Sequence, residues 1–394
     1  MKRKNLVKIT LLLAASLTVM SGATVAPSLP QMSQVFADTP NVEMLTKLVL
    51  TMPALLIAIT GLFAGSLVEK FGRLRTLYMS LALYAIAGST GYWLNGLIPI
   101  LIGRAFLGIS VGGVMTVIST LVGDYFFDDE RKRFSSFQSM FMSLGGVVFV
   151  SVGGALADID WRLPFSIYLF SIVVIGLGLI SLVEPNKQNE LNGEEDKAKL
   201  PVAMVGAILG TMVLSMIIFY MTPVQIPFLL VDLVVTSSAL AGYAISISTV
   251  GGAIGALLYP RMKKKLDYSQ IFALSFIALA LGYIIVGSAK SYEVVMVALL
   301  ISGFGIGFVL PNGTLWLLEV TPLQNRGIVM GLFTSSTFLG QFLSPMVVQP
   351  LSNQYGLSNT FFFVGLTSAV LGILYLLIVR KLTNHSATSL SISH

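Results

Sequence analysis

The chain has 394 residues, of which 55% are hydrophobic and 11% charged, with mean hydropathy +0.86 and a formal net charge of +6. Soluble domains carry about 25% charged residues, so a surface this apolar points to lipid as its solvent and argues against a soluble fold. There is no Cys, and both His residues, His385 and His394, lie in a polar Ser/Thr-rich tail, which excludes disulfides, thiol catalysis, Cys-ligated metal and a buried His base.

The N-terminus opens with Lys2, Arg3 and Lys4, then an apolar run from Ile9 to Leu29. That run is close to the roughly 20 residues that span a bilayer and is longer than a secretory signal core, so an uncleaved first helix is expected. Apolar runs between polar breaks give twelve spans, near 9–30, 45–68, 75–94, 97–123, 134–157, 162–183, 202–229, 237–259, 268–288, 292–318, 327–350 and 357–379. Only Asn95 and Gly96 separate spans 3 and 4, and Pro223 and Pro227 interrupt span 7. The stretch from Glu184 to Lys199 carries eight charges in sixteen residues and reads as a solvated linker. The expected organisation is a six-span unit over 1–183, a linker over 184–200 and a second six-span unit over 201–394.

The basic residues fix an orientation. With the N-terminus in the cytoplasm, 20 Lys and Arg fall on the cytoplasmic side, and three, Lys47, Arg162 and Lys290, fall outside. This asymmetry follows the positive-inside rule and places both termini in the cytoplasm. It also accounts for the net charge, which removes the support for a nucleic-acid partner. The halves look related. The basic loop 65–77 has a counterpart in 255–267, and Arg131 and Leu144-Gly145 have counterparts in Arg326 and Leu339-Gly340, 195 residues later. Two like halves are a common transporter plan, with substrate between them near the midplane.

Loop 2–3 carries the most informative motif: Gly65, Glu69, Gly72, Arg73 and Arg75 in GSLVEKFGRLRTL. Gly65 allows close helix approach, Gly72 a tight turn, and the arginines can partner the carboxylate. This segment resembles the loop 2–3 signature of the major facilitator superfamily, G-x-L-x-D-x-x-G-R-x-R/K, with Glu69 in the place of Asp. The resemblance covers nearly the whole chain. It implies an all-α membrane protein of twelve transmembrane helices in two pseudo-symmetric six-helix bundles.

The same resemblance implies roles for further residues. Asp124, at the cytoplasmic end of span 4, is expected to pair with Arg73, and Glu69 to meet the N-terminus of span 11, latching the halves together. Arg104 in IGRAFLG resembles the span 4 motif L-x-x-x-R-x-x-x-G; an intramembrane Arg is a candidate for binding or coupling, set against snorkelling to the interface. Span 5 keeps Gly145, Gly153 and Gly154 of the antiporter signature but has Phe149 and Val150 for its central Gly-Pro. Trp161-Arg162 reads as an interfacial anchor. Polar, aromatic or sulfur side chains at mid-depth on the pore-lining helices are the cavity candidates: Thr24, Gln138, Met142, Tyr220, Gln225, Asn312, Trp316 and Gln341. Each is set against simple helix–helix bonding.

No P-loop is present, so transport is expected to be secondary. The 18 acids all fall in loops, tails or helix ends, which leaves no obvious proton carrier. The expected activity is export of small amphipathic molecules by alternating access, with protons as the candidate coupling ion, by a monomer in a bacterial inner membrane. No metal or cofactor is expected. An uptake carrier for a sugar or other metabolite is the alternative. A membrane-embedded enzyme would need intramembrane His, Cys or paired acids, and a transport-like sensor would add a signalling domain.

Overall fold

The computed structural model describes residues 2–185 and 200–379, so most of the expected linker and the C-terminal tail lie outside the described residues. The chain is a succession of helices. They are α1 (Lys2–Ala23), α2 (Val42–Phe71), α3 (Arg73–Gly88), α4 (Leu97–Tyr125), α5 (Asp128–Ala157), α6 (Phe170–Ser181), α7 (Val202–Phe219), α8 (Ser238–Lys263), α9 (Tyr268–Ser288), α10 (Tyr292–Val320), α11 (Arg326–Tyr355) and α12 (Leu357–Leu374). Short pieces extend several of them: α1 continues through Leu29–Val35, α6 begins with a 3-10 stretch Leu163–Leu169, and α7 resumes as Met221–Asp232.

Eleven segments among the described residues are long and apolar enough to cross a membrane. The twelfth expected span, α3, is a 16-residue helix followed by a single turn at Thr90–Trp93. It falls short on length, and the chain becomes extended at Leu94 to enter loop 3–4. Large apolar side chains such as Ile86, Leu179 and Leu257 stay exposed on the outside of the bundle, as lipid contact requires. The chain is a multi-pass membrane protein.

Sequence chemistry sets several helix ends. Gly72 takes φ +88°, a conformation costly for residues with a Cβ, and so lets α2 end and α3 begin within one residue. Asp267 and Gln270 form a reciprocal capping box at the start of α9. Pro223 lacks the N–H that would bond the Phe219 carbonyl, and α7 breaks at Tyr220. The Tyr283 hydroxyl from α9 reaches the freed carbonyls of Ile218 at 2.9 Å and Phe219 at 3.1 Å.

The packing repeats. In the first half α2 lies on α4, α3 on α4, α1 on α5 and α3 on α6. In the second half α8 lies on α10, α9 on α10, α7 on α11 and α9 on α12. The second set is the first with every helix advanced by six. The two principal pairings between halves, α5 with α8 and α2 with α11, exchange under the same operation. Detail repeats as well. The Arg131 guanidinium donates to the carbonyls of Phe126 (3.2 Å) and Gly123 (2.6 Å), closing the end of α4. Arg326 donates to those of Thr321 (3.3 Å) and Leu318 (3.0 Å), closing α10. Both satisfy C-terminal carbonyls that a helix leaves unpaired.

Candidate functional site

The helix bundle has two ends. The basic face holds the start of α1 and the loops α2–α3, α4–α5, α8–α9 and α10–α11. The far face holds the turns α1–α2, α5–α6, α7–α8 and α11–α12.

On the basic face, the Arg73 Nε stands 3.3 Å from Asp124 Oδ2, the expected pair. It joins α3 to α4, both in the first half, so it braces one bundle and does not itself span the two. The backbone N–H groups of Arg73 and Leu74 donate to Glu184 at 2.6 and 2.8 Å. Glu184 falls at the start of the stretch that reads as a solvated linker. It caps α3 instead, where the helix dipole and unpaired N–H groups favour a carboxylate. Arg75 is exposed and Gly65 lies on the outer side of α2. The expectation for the Glu69 side chain lies outside the described residues.

Arg104 is fully buried, which rules out snorkelling. Its guanidinium donates to the Val49 carbonyl, the Tyr168 hydroxyl and the Ser21 carbonyl, each at 2.8 Å. The Tyr168 ring lies 5.1 Å away in cation–π geometry. One fork thus ties α4 to α1, α2 and the start of span 6. Carbonyl dipoles and a ring face take the place of a counter-carboxylate, a use that suits Arg and not Lys. Tyr220, at the break in α7, crosses from the second half into the apolar core of the first, 8% exposed, with Arg104 and Tyr168 acting electrostatically on its hydroxyl.

The other cavity candidates separate into two groups. Asn312 and Trp316 both contact aromatic residues of the second half. The Asn312 amide donates to the Tyr268 carbonyl at 2.9 Å and accepts from Tyr259 at 3.4 Å, while Trp316 stacks on Tyr268 with centroids 5.4 Å apart. The Thr24 hydroxyl is spent on the Met20 carbonyl at 2.6 Å, beneath Gly153 of α5. Gln138 and Met142 on α5 and Gln341 on α11 are half-buried. Gln225 is 1% exposed, and neither its amide oxygen nor its amide nitrogen has a hydrogen-bond partner. An orphaned buried amide costs about 1–3 kcal/mol per group, and this one lies in the segment that resumes α7 after its proline break.

The far face is shut by contacts that sequence reasoning did not single out. Asp158, at the end of α5, accepts from the Ser237 hydroxyl (2.8 Å) and from the backbone N–H groups of Ser238 (2.5 Å) and Ala239 (3.2 Å), so the first half caps α8 of the second. Below it, a Cβ added at Gly154 would meet the Ser238 carbonyl oxygen at 2.6 Å. Ser151 and Ser246 hydroxyls lie 3.0 Å apart one turn deeper. Across the α2–α11 seam Lys47, 2% exposed, donates to the Gln349 side-chain oxygen. Gln349 in turn donates to Glu43 Oε2 at 2.7 Å. Nearer mid-depth the Ser335 hydroxyl donates to the Ala58 carbonyl at 2.7 Å. The ties that join the halves therefore concentrate on the far face and at mid-depth. Among the described residues, no three His, Cys, Asp or Glu side chains converge as a metal site would need.

Comparison with known proteins supplies the remaining context. The family model described as Major Facilitator Superfamily matches residues 11–234 and again 207–391. The bacillibactin exporter of Bacillus subtilis is 22% identical over 374 residues, covering 90% of each chain. The quinolone resistance protein NorA of Staphylococcus aureus is 21% identical over 331 residues, 81% of this chain and 83% of that one. Some matches are local: an uncharacterized transporter of Schizosaccharomyces pombe is 29% identical over 116 residues, 29% of this chain and 20% of its own length. Among solved structures, a bacterial homolog of the human lysosomal transporter Spinster in an inward-facing and occupied conformation has a TM-score of 0.79 at 16% identity, covering 96% and 97%. The inward-open xylose transporter XylE of E. coli has a TM-score of 0.76 at 15% identity, covering 95% of each chain.

Proposed function

The chain belongs to the Major Facilitator Superfamily, and from that premise we propose that it is a secondary transporter that exports small amphipathic molecules by alternating access. The observation that carries this reading is the mirrored packing, in which two six-helix halves meet along α2–α11 and α5–α8 and are tied most closely at one face. Two rigid halves joined along such seams can rock and open one side at a time. The positive-inside rule makes the basic face cytoplasmic and the far face the outer one, so this arrangement is shut to the outside.

Export is favoured over uptake by the relatives that cover most of the chain, an exporter and a drug-resistance protein. The half-buried Gln138, Met142 and Gln341 are uncharged and unbranched, which suits a loosely specific amphipathic cargo. Gln225 supplies an unused amide beside the seam, and Tyr220 of the second half packs into the core of the first, where Arg104 is buried. In this reading Arg104 makes the first half rigid, and Tyr220 reports the movement of the second. Gly65, Glu69, Gly72, Arg73, Arg75 and Asp124 control opening on the cytoplasmic side. The test is accumulation of norfloxacin and ethidium in a bacterial host stripped of its own exporters. Expression of the chain should lower both at steady state. Raised accumulation on expression would instead favour the uptake reading.

A further inference from the structure

The internal repeat keeps its register along the basic face. Helix α10 (Tyr292–Val320) follows α4 (Leu97–Tyr125) 195 residues later, and both have 29 residues. Helices α3 and α9 open at the same offset, on Arg73 and Tyr268. That offset carries Arg73 and Asp124 onto Tyr268 and Glu319.

The fold brings the second pair together as it does the first. The Tyr268 hydroxyl donates to Glu319 Oε2 at 2.5 Å, where Arg73 Nε stands 3.3 Å from Asp124 Oδ2. A phenol has replaced the guanidinium. Positive charge is still present, supplied by Lys263, whose ammonium lies 3.4 Å from the centre of the Tyr268 ring. The ring is also fixed in place from α10. Trp316 stacks on it with the planes 6° apart, and the Asn312 amide donates to the Tyr268 carbonyl at 2.9 Å.

The two pairs occupy equivalent positions. Each joins the first residue of one helix, α3 or α9, to the penultimate residue of the helix it packs on, α4 or α10. Neither α3 nor α9 belongs to the principal pairings between halves. Each pair therefore ties an outer helix to an inner one at the basic end. Rocking carries a movement from one face to the other only if each half moves as a unit. A hydrogen bond to an ionised acceptor is stronger than a neutral one. Glu319 is exposed, so water competes for it and the bond sits at the modest end of its range.

We propose that Tyr268 and Glu319 form the second half's brace on the basic face, a phenol–carboxylate counterpart of Arg73 and Asp124 that holds α9 to α10 while the halves rock. The inference deepens the transport reading and rests on it only for the effect on export. The brace itself needs no substrate to test.

The absence of Cys makes the experiment direct. Nitroxide labels on Lys265→Cys and Gln324→Cys, exposed in the α8–α9 and α10–α11 connections, report the spacing between the start of α9 and the end of α10. The distance is read by pulsed electron–electron measurement on the full chain in lipid nanodiscs. Tyr268→Phe keeps the ring against Trp316 and removes only the hydroxyl. It should raise the population of longer distances about threefold, and Glu319→Ala should do the same. The double variant should exceed either single by no more than about 1.5-fold, because both residues act through one bond. Norfloxacin and ethidium export should fall about threefold in each single variant with normal membrane insertion. Unchanged distances in a folded Tyr268→Phe protein would overturn the proposal. Additive shifts in the double variant would do so too, as would parent-level export in both single variants. Should Tyr268→Phe fail to fold, Glu319→Ala carries the same test by the same criteria. If the parent exports neither dye, the transport reading fails, and the distances alone decide the brace.

Discussion

Substituting Gly154 by Ala isolates the closed outer face from everything else in the molecule. A Cβ built at Gly154 lies 2.6 Å from the Ser238 carbonyl oxygen, 3.1 Å from the Ala239 Cα and 3.2 Å from the Gly242 Cα. All three are backbone atoms of α8, so no side chain can rotate away. The reciprocal contact is as tight, with a Cβ at Gly242 only 2.9 Å from the Val150 carbonyl oxygen. Overpacking of this kind costs about 1–3 kcal/mol, and the cost falls only on the arrangement in which α5 and α8 touch here. The gain of about 1 kcal/mol in helix propensity from Gly to Ala acts in both arrangements and cancels. The open-to-closed ratio at the outer face should therefore rise by about 5- to 150-fold, read by pulsed electron–electron distance measurement between nitroxide labels on Ile98→Cys and Lys290→Cys, both exposed at the far face in opposite halves. Gly176→Ala and Gly206→Ala, which would meet nothing within 4 Å, are the controls and should leave the ratio unchanged. A folded Gly154→Ala protein whose ratio matches these controls would refute the claim that this face is held shut by helix contact.

Three further outcomes follow from the same geometry. Asp158→Ala removes the cap on α8 and its hydrogen bonds across the seam; losing an N-cap costs about 0.5–2 kcal/mol, so the outer face should open several-fold in the distance measurement. Arg104→Lys keeps the charge but loses the fork that serves Val49, Tyr168 and Ser21, and each unmet buried group costs about 1–3 kcal/mol. Its melting temperature in detergent should fall by several degrees, and an unchanged melt would contradict the role of Arg104 as the tie of the first half. Asp124→Asn and Arg73→Ala should each reduce dye export to near background with normal membrane insertion, measured by efflux and quantitative immunoblot. Full efflux in both would dispose of the brace.

The architecture was legible because composition and charge asymmetry are properties of whole segments. Span count, order and internal repeat needed no tertiary information, and the 195-residue offset of Arg131 and Arg326 reappears as two identical carbonyl caps. Individual roles were less legible. Asn312 and Gln225 look alike in sequence, as polar residues in apolar helices. Which one is satisfied depends on whether a neighbouring helix offers a partner, as Tyr268 does for Asn312. Glu184 sits among the charges of a hydrophilic stretch, and its capping of α3 is fixed by a fold that brings residues 110 apart together. Lys47 reads as an outer-face charge because it stands near a helix end. Its burial depends on α11 closing over it, and a single charge near a span boundary gives no sign of that. The one available signal was its place inside an apolar run, two residues before the Val49 carbonyl that Arg104 uses.

Reconstituted flux tests the central claim most directly. Purified protein in liposomes, with norfloxacin and ethidium followed on both sides of the membrane with and without an imposed pH gradient, should show protein-dependent movement of at least one compound. An inside-acid gradient in vesicles whose cytoplasmic face points outward should raise accumulation, as exchange for protons requires. Equal permeability of protein-containing and empty liposomes, in both directions and with or without the gradient, would contradict the account.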